Sequence, residues 1–250
     1  MRRGNRACYF THPGSAETAH SSRLVARHVT PSSRAPLRSR LTSQGEPVTV
    51  FGVIPGSGVE GGAMIAGAEA LVVRQLAALL EESSLGAFLG RARQVARYRA
   101  VVEQAFVERS IVPVPWGTTF RSRASVSRWL ELHYSPLQEA LEFVAERAMM
   151  RVRVGAAATP ETEAAAASVD GRLWTLLRGL KGDAIAAIPV VASADARTDR
   201  DAQCAYLIER DSISGFEQRV KSLTSDEPLL RVELSGPFPA YDFVQMDFGG

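Results

Sequence analysis

The sequence is poor in the residues that build disulfide networks and metal sites. Its 250 residues include two cysteines, Cys8 and Cys204, too few for a disulfide framework or a cysteine-based zinc site. No hydrophobic run approaches the roughly 20 residues that a membrane-spanning helix needs. Of the four histidines, only His133 lies outside the first 46 residues, so the predicted folded part has no histidine pair for a metal. These absences predict a soluble protein of a reducing compartment, without a metal centre.

Lysine is also rare, and the basic charge is unevenly placed. Residues 1–46 hold eight arginines against Glu17 and Glu46, a net charge of +6, so the overall +2 leaves −4 for the rest of the chain. This N-terminal region is rich in Ser, Pro and Thr and has few large apolar residues, which predicts a disordered basic extension. A targeting segment and a nucleic-acid-binding arm are the alternatives. Only two of the 29 basic residues are lysines, so the arginines there are weak evidence for either alternative.

Motifs for catalysis or cofactor binding are missing. The segment Gly56–Gly61 fits the pattern G-x-G-x-x-G, but an apolar strand pattern follows it where a dinucleotide site needs a helix. No phosphate-binding loop and no nucleophile elbow is present. Cys204 lies in an apolar strand pattern and His133 at the edge of a helical face, which favours a structural role for both. The sequence therefore predicts a protein that is not an enzyme and binds no cofactor.

The first half of the folded region predicts alternating strands and helices. Leu76–Leu80 is ambiguous, and Pro136 predicts a break within the second helix. The other elements expected are a strand over 48–54, a strand over 63–73, a helix beginning after Ser83 or Ser84, a proline-stiffened edge strand or packed loop over 111–117, a helix capped by Ser122 or Ser125, and a strand over 149–154.

The second half begins with an Ala-rich linker and helix region and ends in a proline-bound aromatic tail. Strands are expected over 204–209 and 229–234, with a helix after Ser212 between them. The order predicts an α+β fold with two small sheets, each covered by helices on one face. The expected divisions are a disordered extension (1–46), an N-terminal α+β domain (47–155), a linker and helix region (156–202) and a C-terminal part with the tail (203–250).

Four aromatic residues lie in segments stiffened by proline, and no catalytic motif explains them. Trp116, Phe238, Tyr241 and Phe243 all lie close to prolines, which reduce the entropy lost when a segment becomes ordered. Two interpretations stay open. The aromatic side chains staple the tail to the core, or they form an apolar docking surface for a partner, since interfaces favour rigid aromatic anchors.

Three motifs in order resemble the gas vesicle protein F/L family. The tail from Leu234 to Val244, L-S-G-P-F-P-A-Y-D-F-V, is similar to that family's L-T-G-P-W-P-P-Y-S-F-V, and residues 112–120, V-P-V-P-W-G-T-T-F, are similar to its L-P-L-R-F-G-T-x-F. The strand 204–208 followed by Phe216 resembles its third signature. Pro115, Phe238, Ala240 and Asp242 depart from the family's usual Arg, Trp, Pro and Ser.

The resemblance implies two linked α/β domains of ferredoxin-like type, with a tail that packs back. It also implies a non-enzymatic accessory protein located at the gas vesicle, whose partners are the hydrophobic shell protein and other gas vesicle accessory proteins. A membrane partner is not expected, and nucleic-acid binding through the extension is the alternative function. The resemblance places the partner-binding residues in the two proline-rich motifs: Pro113, Trp116, Gly117, Phe120, Gly236, Pro237, Phe238, Pro239, Tyr241 and Phe243.

Overall fold

The computed structural model describes residues 45–83, 90–158, 162–190 and 201–244, so the predicted extension lies outside these ranges apart from Gly45 and Glu46. The helices and antiparallel sheets of the described part confirm the predicted α+β class. Two short 3₁₀ segments (Leu180–Asp183 and Arg210–Ser212) accompany the main elements. These are β1 (Val48–Pro55), β2 (Met64–Ile65), β3 (Ala68–Val73), β4 (Leu76–Glu82), α1 (Arg91–Glu108), β5 (Val112–Pro113), β6 (Thr119–Phe120), α2 (Arg123–Leu132), α3 (Tyr134–Val144), β7 (Arg147–Ala156), α4 (Glu163–Gly179), β8 (Ala186–Val190), β9 (Ala202–Glu209), α5 (Ile213–Ser225) and β10 (Leu230–Phe238).

The first sheet has the strand order β2-β3-β4-β1-β5, and β6 also pairs with β1. Its central strands β1 and β4 are almost continuously apolar, as strands are when both faces of a sheet are covered. Val50 packs with Leu130 in a core under α2 and α3, whereas Phe51 packs with Val102 in a core under α1. The expectation that helices cover one face is therefore wrong for this sheet.

The second sheet is antiparallel and has the strand order β10-β7-β9-β8. Tyr206 on β9 packs under α4 and α5 with Leu177 and Phe216, and its hydroxyl donates a 2.7 Å hydrogen bond to the Leu177 carbonyl. On the opposite face, Leu207 joins the core that α2 and α3 form with the first sheet. The two sheets are therefore linked through one hydrophobic core.

Local sequence signals explain where two of the helices begin. Ser122 is the N-cap of α2, and its Oγ accepts a hydrogen bond from the Ser125 backbone N–H, as predicted. The predicted break before Pro136 occurs at His133, which ends α2 and precedes α3. Pro136 then lies in the first turn of α3, where a missing backbone N–H costs little.

Several elements differ from the sequence-based expectations. The region 63–73 forms a hairpin of β2 and β3, because Ala66 and Gly67 have positive φ angles of 52° and 74° and reverse the chain. Leu76–Leu80, which the pattern left ambiguous, lies in β4. Helix α1 begins at Arg91 with Gly90 as its N-cap, and residues 84–89 lie outside the described ranges.

The second sheet also has strand residues that the sequence did not predict. Strand β8 was missed within the expected linker and helix region, because Ala and Pro189 are poor strand formers away from a sheet edge. Strand β10 continues past Leu234 to Phe238, since Pro237 is likewise tolerated in an edge strand. The ferredoxin-like arrangement and the boundaries at 155 and 202 stay predictions, although β7 pairs with strands that follow it in the chain.

A glycine in β7 makes room for a buried ion pair. The Asp201 side chain is 2% exposed, and its Oδ2 lies 3.1 Å from Arg231 Nη2. A Cβ atom on Gly155 would lie 2.9 Å from Asp201 Cγ and 3.1 Å from Arg231 Nη2. Any side chain at this position must therefore displace the ion pair, and breaking a pair with a buried charge is costly.

We expect Gly155→Ala to lower the free energy of unfolding by about 2 kcal/mol through overpacking at the ion pair. The matched control is Gly171→Ala in α4, where an added Cβ meets no atom within 4 Å. That control should stabilise the protein by roughly 0.5–1 kcal/mol, because Ala is the better helix former. Urea unfolding measures both variants, and equal effects at the two positions would contradict the account of Gly155.

Candidate functional site

The tail that follows β10 returns to the first sheet. Ala240 is 2% exposed within the core under α2 and α3, and Phe243 and Val244 are partly buried against that same core. Tyr241 instead packs against the core under α1. Residues 240–244 therefore contact the cores on both faces of the first sheet.

An ion pair fixes the tail to the second sheet. Arg151, in the middle of β7, donates from Nε to Asp242 Oδ2 and from Nη2 to Asp242 Oδ1, both at 3.0 Å. Such a two-point contact between a guanidinium and a carboxylate sets orientation as well as distance. The side chains are 31% and 25% exposed, so water screens the pair only in part. Asp242 thus holds Tyr241 and Phe243 in place from the position between them.

A groove of about 390 Å³ lies between α1, the loop before β6, and the C-terminal strand with its tail. Its apolar surface comes from one aliphatic and four aromatic side chains, and its polar surface from three charged ones. The lining residues are Val95, Tyr98, Arg99, Glu103, Trp116, Arg151, Phe238 and Tyr241. The two proline-rich motifs, which are more than 100 residues apart in the sequence, therefore meet at one site.

Helix α1 forms one wall of this groove through a stripe of residues spaced four apart. Val95, Arg99 and Glu103 line the groove, and Arg91 lies one turn before them. The Arg91 guanidinium lies 5.3 Å from the centroid of the Trp116 ring, within the range of a cation–π interaction. Trp116 is 38% exposed, so a large aromatic face stays accessible at the rim.

Two of the lining residues are tyrosines, and their hydroxyls differ in their hydrogen bonds. The Tyr98 hydroxyl donates to the Val114 carbonyl at 2.8 Å, and burial raises the Tyr98 pKa to about 12. The Tyr241 ring lies 6.4 Å from the Tyr98 ring, and its buried hydroxyl has no hydrogen-bond partner among the described residues. Burial is the main cause that raises the Tyr241 pKa, and the charge of Glu103 adds to it.

Glycines allow the close approaches that shape the segments beside the groove. Gly236 has a φ angle of 130°, and a Cβ there would lie 2.9 Å from the Met149 carbonyl oxygen. Gly117 follows Trp116 with a φ angle of 85°, which turns the chain toward β6.

Two prolines mark where the tail enters the core. Pro237 is exposed and Pro239 is buried, so the chain passes from the surface into the core within three residues.

The structure brings together three of the residues expected to bind a partner and separates the others. Trp116, Phe238 and Tyr241 line the groove, whereas Phe243 packs against the core under α2 and α3. Pro113 is buried in β5 and pairs with Gly52 of β1. The Phe120 ring packs at a tilt against the Trp129 ring, with 5.5 Å between the ring centroids. The partner-binding role of the whole set stays a prediction.

Sequence reasoning missed the charged part of the groove. Nothing in the sequence marks Arg99, Glu103 or Arg151 as groove residues, because charged side chains on a helix or a half-buried strand are usually solvated. One signal was available, since Val95 adds an apolar residue one turn before the buried stripe that begins at Tyr98. Pairing between distant segments, such as Arg151 with Asp242, leaves no periodic signal in the sequence.

The family model described as gas vesicle synthesis protein GvpL/GvpF matches residues 48–173 and 183–245, which is most of the chain. The chain belongs to this family. GvpL/GvpF proteins are gas vesicle accessory proteins and are not known as enzymes. No protein in a search of curated sequences matches significantly.

Two solved GvpF structures share the fold. The crystal structure of the gas vesicle protein GvpF from Anabaena sp. PCC7120 superposes with a TM-score of 0.66 at 16% sequence identity, covering 81% of this chain and 100% of that one. The crystal structure of the gas vesicle protein GvpF from Microcystis aeruginosa superposes with a TM-score of 0.61 at 15% sequence identity, covering 80% of this chain and 99% of that one. At these identities the likeness concerns the GvpF fold and not the groove.

Two features are absent from the residues of this GvpL/GvpF chain that the structure describes. None of the helices there combines the length and apolarity that crossing a membrane requires. Histidine, cysteine and carboxylate side chains also do not gather there in threes around a point that could hold a metal ion.

We expect Asp242→Asn to lower the free energy of unfolding by about 1 kcal/mol, because the Arg151 guanidinium loses its charged partner at a half-exposed site. Loss of the ion pair should loosen the tail more than it destabilises the whole protein, so backbone amides of residues 240–244 should exchange hydrogen faster. The matched control is Asp226→Asn, at an exposed position after α5. Unchanged exchange in the tail of Asp242→Asn would show that the ion pair does not hold it.

Buried tyrosines predict loss of stability in alkali. Burial raises the pKa of both Tyr98 and Tyr241 above the ordinary value of 10. At a pH between 10 and the pKa in the folded protein, the unfolded chain therefore binds fewer protons than the folded one. Stability is then fully present below pH 10 and falls as the pH rises through about 12, by about 1.4 kcal/mol per pH unit for each such tyrosine. Urea unfolding between pH 8 and pH 11.5 measures the slope, and Tyr98→Phe should make it shallower. A slope identical in that variant would contradict the assignment.

Proposed function

We propose that this protein assists gas vesicle assembly by binding the hydrophobic shell protein in the groove between α1 and the tail. The observation that carries the proposal is the meeting of Trp116, Phe238 and Tyr241 at one partly apolar groove. Aromatic side chains held on proline-rich or strand backbone lose little entropy on binding, which suits them as anchors for a partner.

Exposure of the groove also supports an interaction role. Trp116 stays 38% exposed although it is among the largest apolar side chains, and the Arg91 guanidinium lies over its ring. Aromatic residues and arginine are the types enriched in protein interfaces. A shell subunit that hides apolar surface there before assembly would be less prone to aggregate.

Membership of the GvpL/GvpF family supports the identity of the partner, since the family's description refers to gas vesicle synthesis. The shell protein is the component with apolar surface to protect, and other accessory proteins are further partners under this proposal. Location at the gas vesicle follows if the complex persists during assembly. Nucleic-acid binding through residues 1–46 finds no support in the described residues or in the comparisons.

Co-expression with the gas vesicle shell protein, followed by affinity capture, tests the proposal. Trp116→Ala should reduce the captured shell protein about tenfold, because truncation of an aromatic anchor costs roughly 1–2 kcal/mol or more. The matched control is Trp174→Ala on α4, since Trp174 is also exposed, at 47%, but lies outside the groove. Both variants should keep the thermal midpoint of the parent protein within a few degrees.

Removing residues 1–46 tests whether the extension contributes to capture of the shell protein. Under the proposed function the truncated protein captures the shell protein as the full chain does. Equal capture by Trp116→Ala and the parent would contradict the role of the groove, and loss of capture on truncation would place the interaction in the extension.

A further inference from the structure

The Tyr241 hydroxyl is a buried polar group that the described part of the protein does not satisfy. It has no hydrogen-bond partner there, whereas the neighbouring Tyr98 hydroxyl has one at 2.8 Å. Burying a hydroxyl without a partner costs free energy, and phenylalanine at this position would avoid that cost. Tyr241 lines the groove although its hydroxyl is covered, so a ligand that moves the covering side chains aside on binding can supply the missing partner.

The charges around this hydroxyl indicate what kind of group would bind. Arg99 and Arg151 line the groove, and Arg91 lies over Trp116 at its rim. Asp242 accepts from Nε and Nη2 of Arg151, which leaves the Nη1 donors of that guanidinium available. Arg99 makes no ion pair with a carboxylate in the described ranges of the chain.

The groove has fewer acidic groups than basic ones. Glu103 is the one carboxylate among the lining residues, and Asp242 is already neutralised by Arg151. Three guanidinium groups against these two carboxylates leave an excess of one positive charge. A carboxylate near Arg99 can accept from the guanidinium and from the Tyr241 hydroxyl, whereas an incoming ammonium group would meet the arginines first.

We propose that the groove recognises an acidic residue flanked by apolar side chains in the bound segment of the shell protein. The carboxylate accepts hydrogen bonds from Arg99 and from the Tyr241 hydroxyl, and the apolar neighbours pack on Trp116 and Phe238. This inference rests on the proposed function and adds the chemistry by which the partner segment is selected.

Variants of the groove test the charged contact separately from the apolar one. Arg99→Glu should weaken capture of the co-expressed shell protein at least tenfold, and Arg99→Gln by a smaller factor. Arg93→Glu is the matched control, because Arg93 is an exposed arginine of α1 that does not line the groove. It should change capture less than twofold.

Tyr241→Phe gives a readout that a purely structural role would not produce. It removes the unsatisfied hydroxyl, so the thermal midpoint should stay equal or rise, while shell binding falls about fivefold, the effect of one lost hydrogen bond. A lower midpoint with unchanged binding would overturn the assignment of this hydroxyl to the partner.

Labelled overlapping 15-residue peptides of the shell protein identify the bound segment by fluorescence anisotropy with the full-length protein. The binding peptide should contain Asp or Glu beside apolar residues, and Asn or Gln in its place should abolish most of the affinity. If Trp116→Ala weakens binding but Arg99→Glu and the neutralised peptide do not, this inference fails and the proposed function stands. If none of the variants weakens binding, both fail.

Discussion

The contact between Arg151 and Asp242 is the constraint on which the arrangement at the groove depends. Arg151 lies in β7, which pairs with both β9 and β10, so its backbone is fixed by hydrogen bonds on two sides. Asp242 lies between Tyr241 and Phe243, which enter cores on opposite faces of the first sheet. A guanidinium that orients one carboxylate therefore also determines where two aromatic side chains go. The groove is the space that remains between this tail and α1.

The aromatic residues of the tail do not divide neatly into structural and functional ones. Tyr241 lines the groove and also packs its ring against the core under α1, yet its buried hydroxyl has no hydrogen-bond partner among the described residues. Phe243 is a core residue by its contacts, and Trp116 is a surface residue whose ring lies under the Arg91 guanidinium. The two interpretations left open by the sequence therefore apply to different atoms of the same segment.

How much could be predicted from the sequence depends on the range of the interaction. Strand β1, the Ser122 cap and the break before Pro136 follow from local rules, and the structure confirms them. The hairpin at Ala66 and Gly67 was missed because a left-handed residue other than glycine gives no compositional signal, and a single glycine does not by itself end a strand pattern. The α1 wall of the groove was missed for a different reason. Exposed arginines on a helix look alike in sequence, and only the approach of the Trp116 loop and the tail distinguishes Arg99 from Arg93.

The size of the groove limits how a shell-binding role can operate. A site of about 390 Å³ accommodates a few side chains, so the area buried there is well below the roughly 1,200 Å² of a stable interface. Such a contact is weak enough to be exchanged for the larger apolar contacts that a subunit makes with its neighbours in a shell, since apolar burial contributes roughly 25 cal/mol per Å². Under the proposed function, affinity therefore has to come from a few well-oriented groups. A hydrophobic groove alone would hold many apolar segments equally well, whereas an arginine without an ion pair among the described residues and a buried hydroxyl that needs a partner select one segment and release it when a larger interface becomes available.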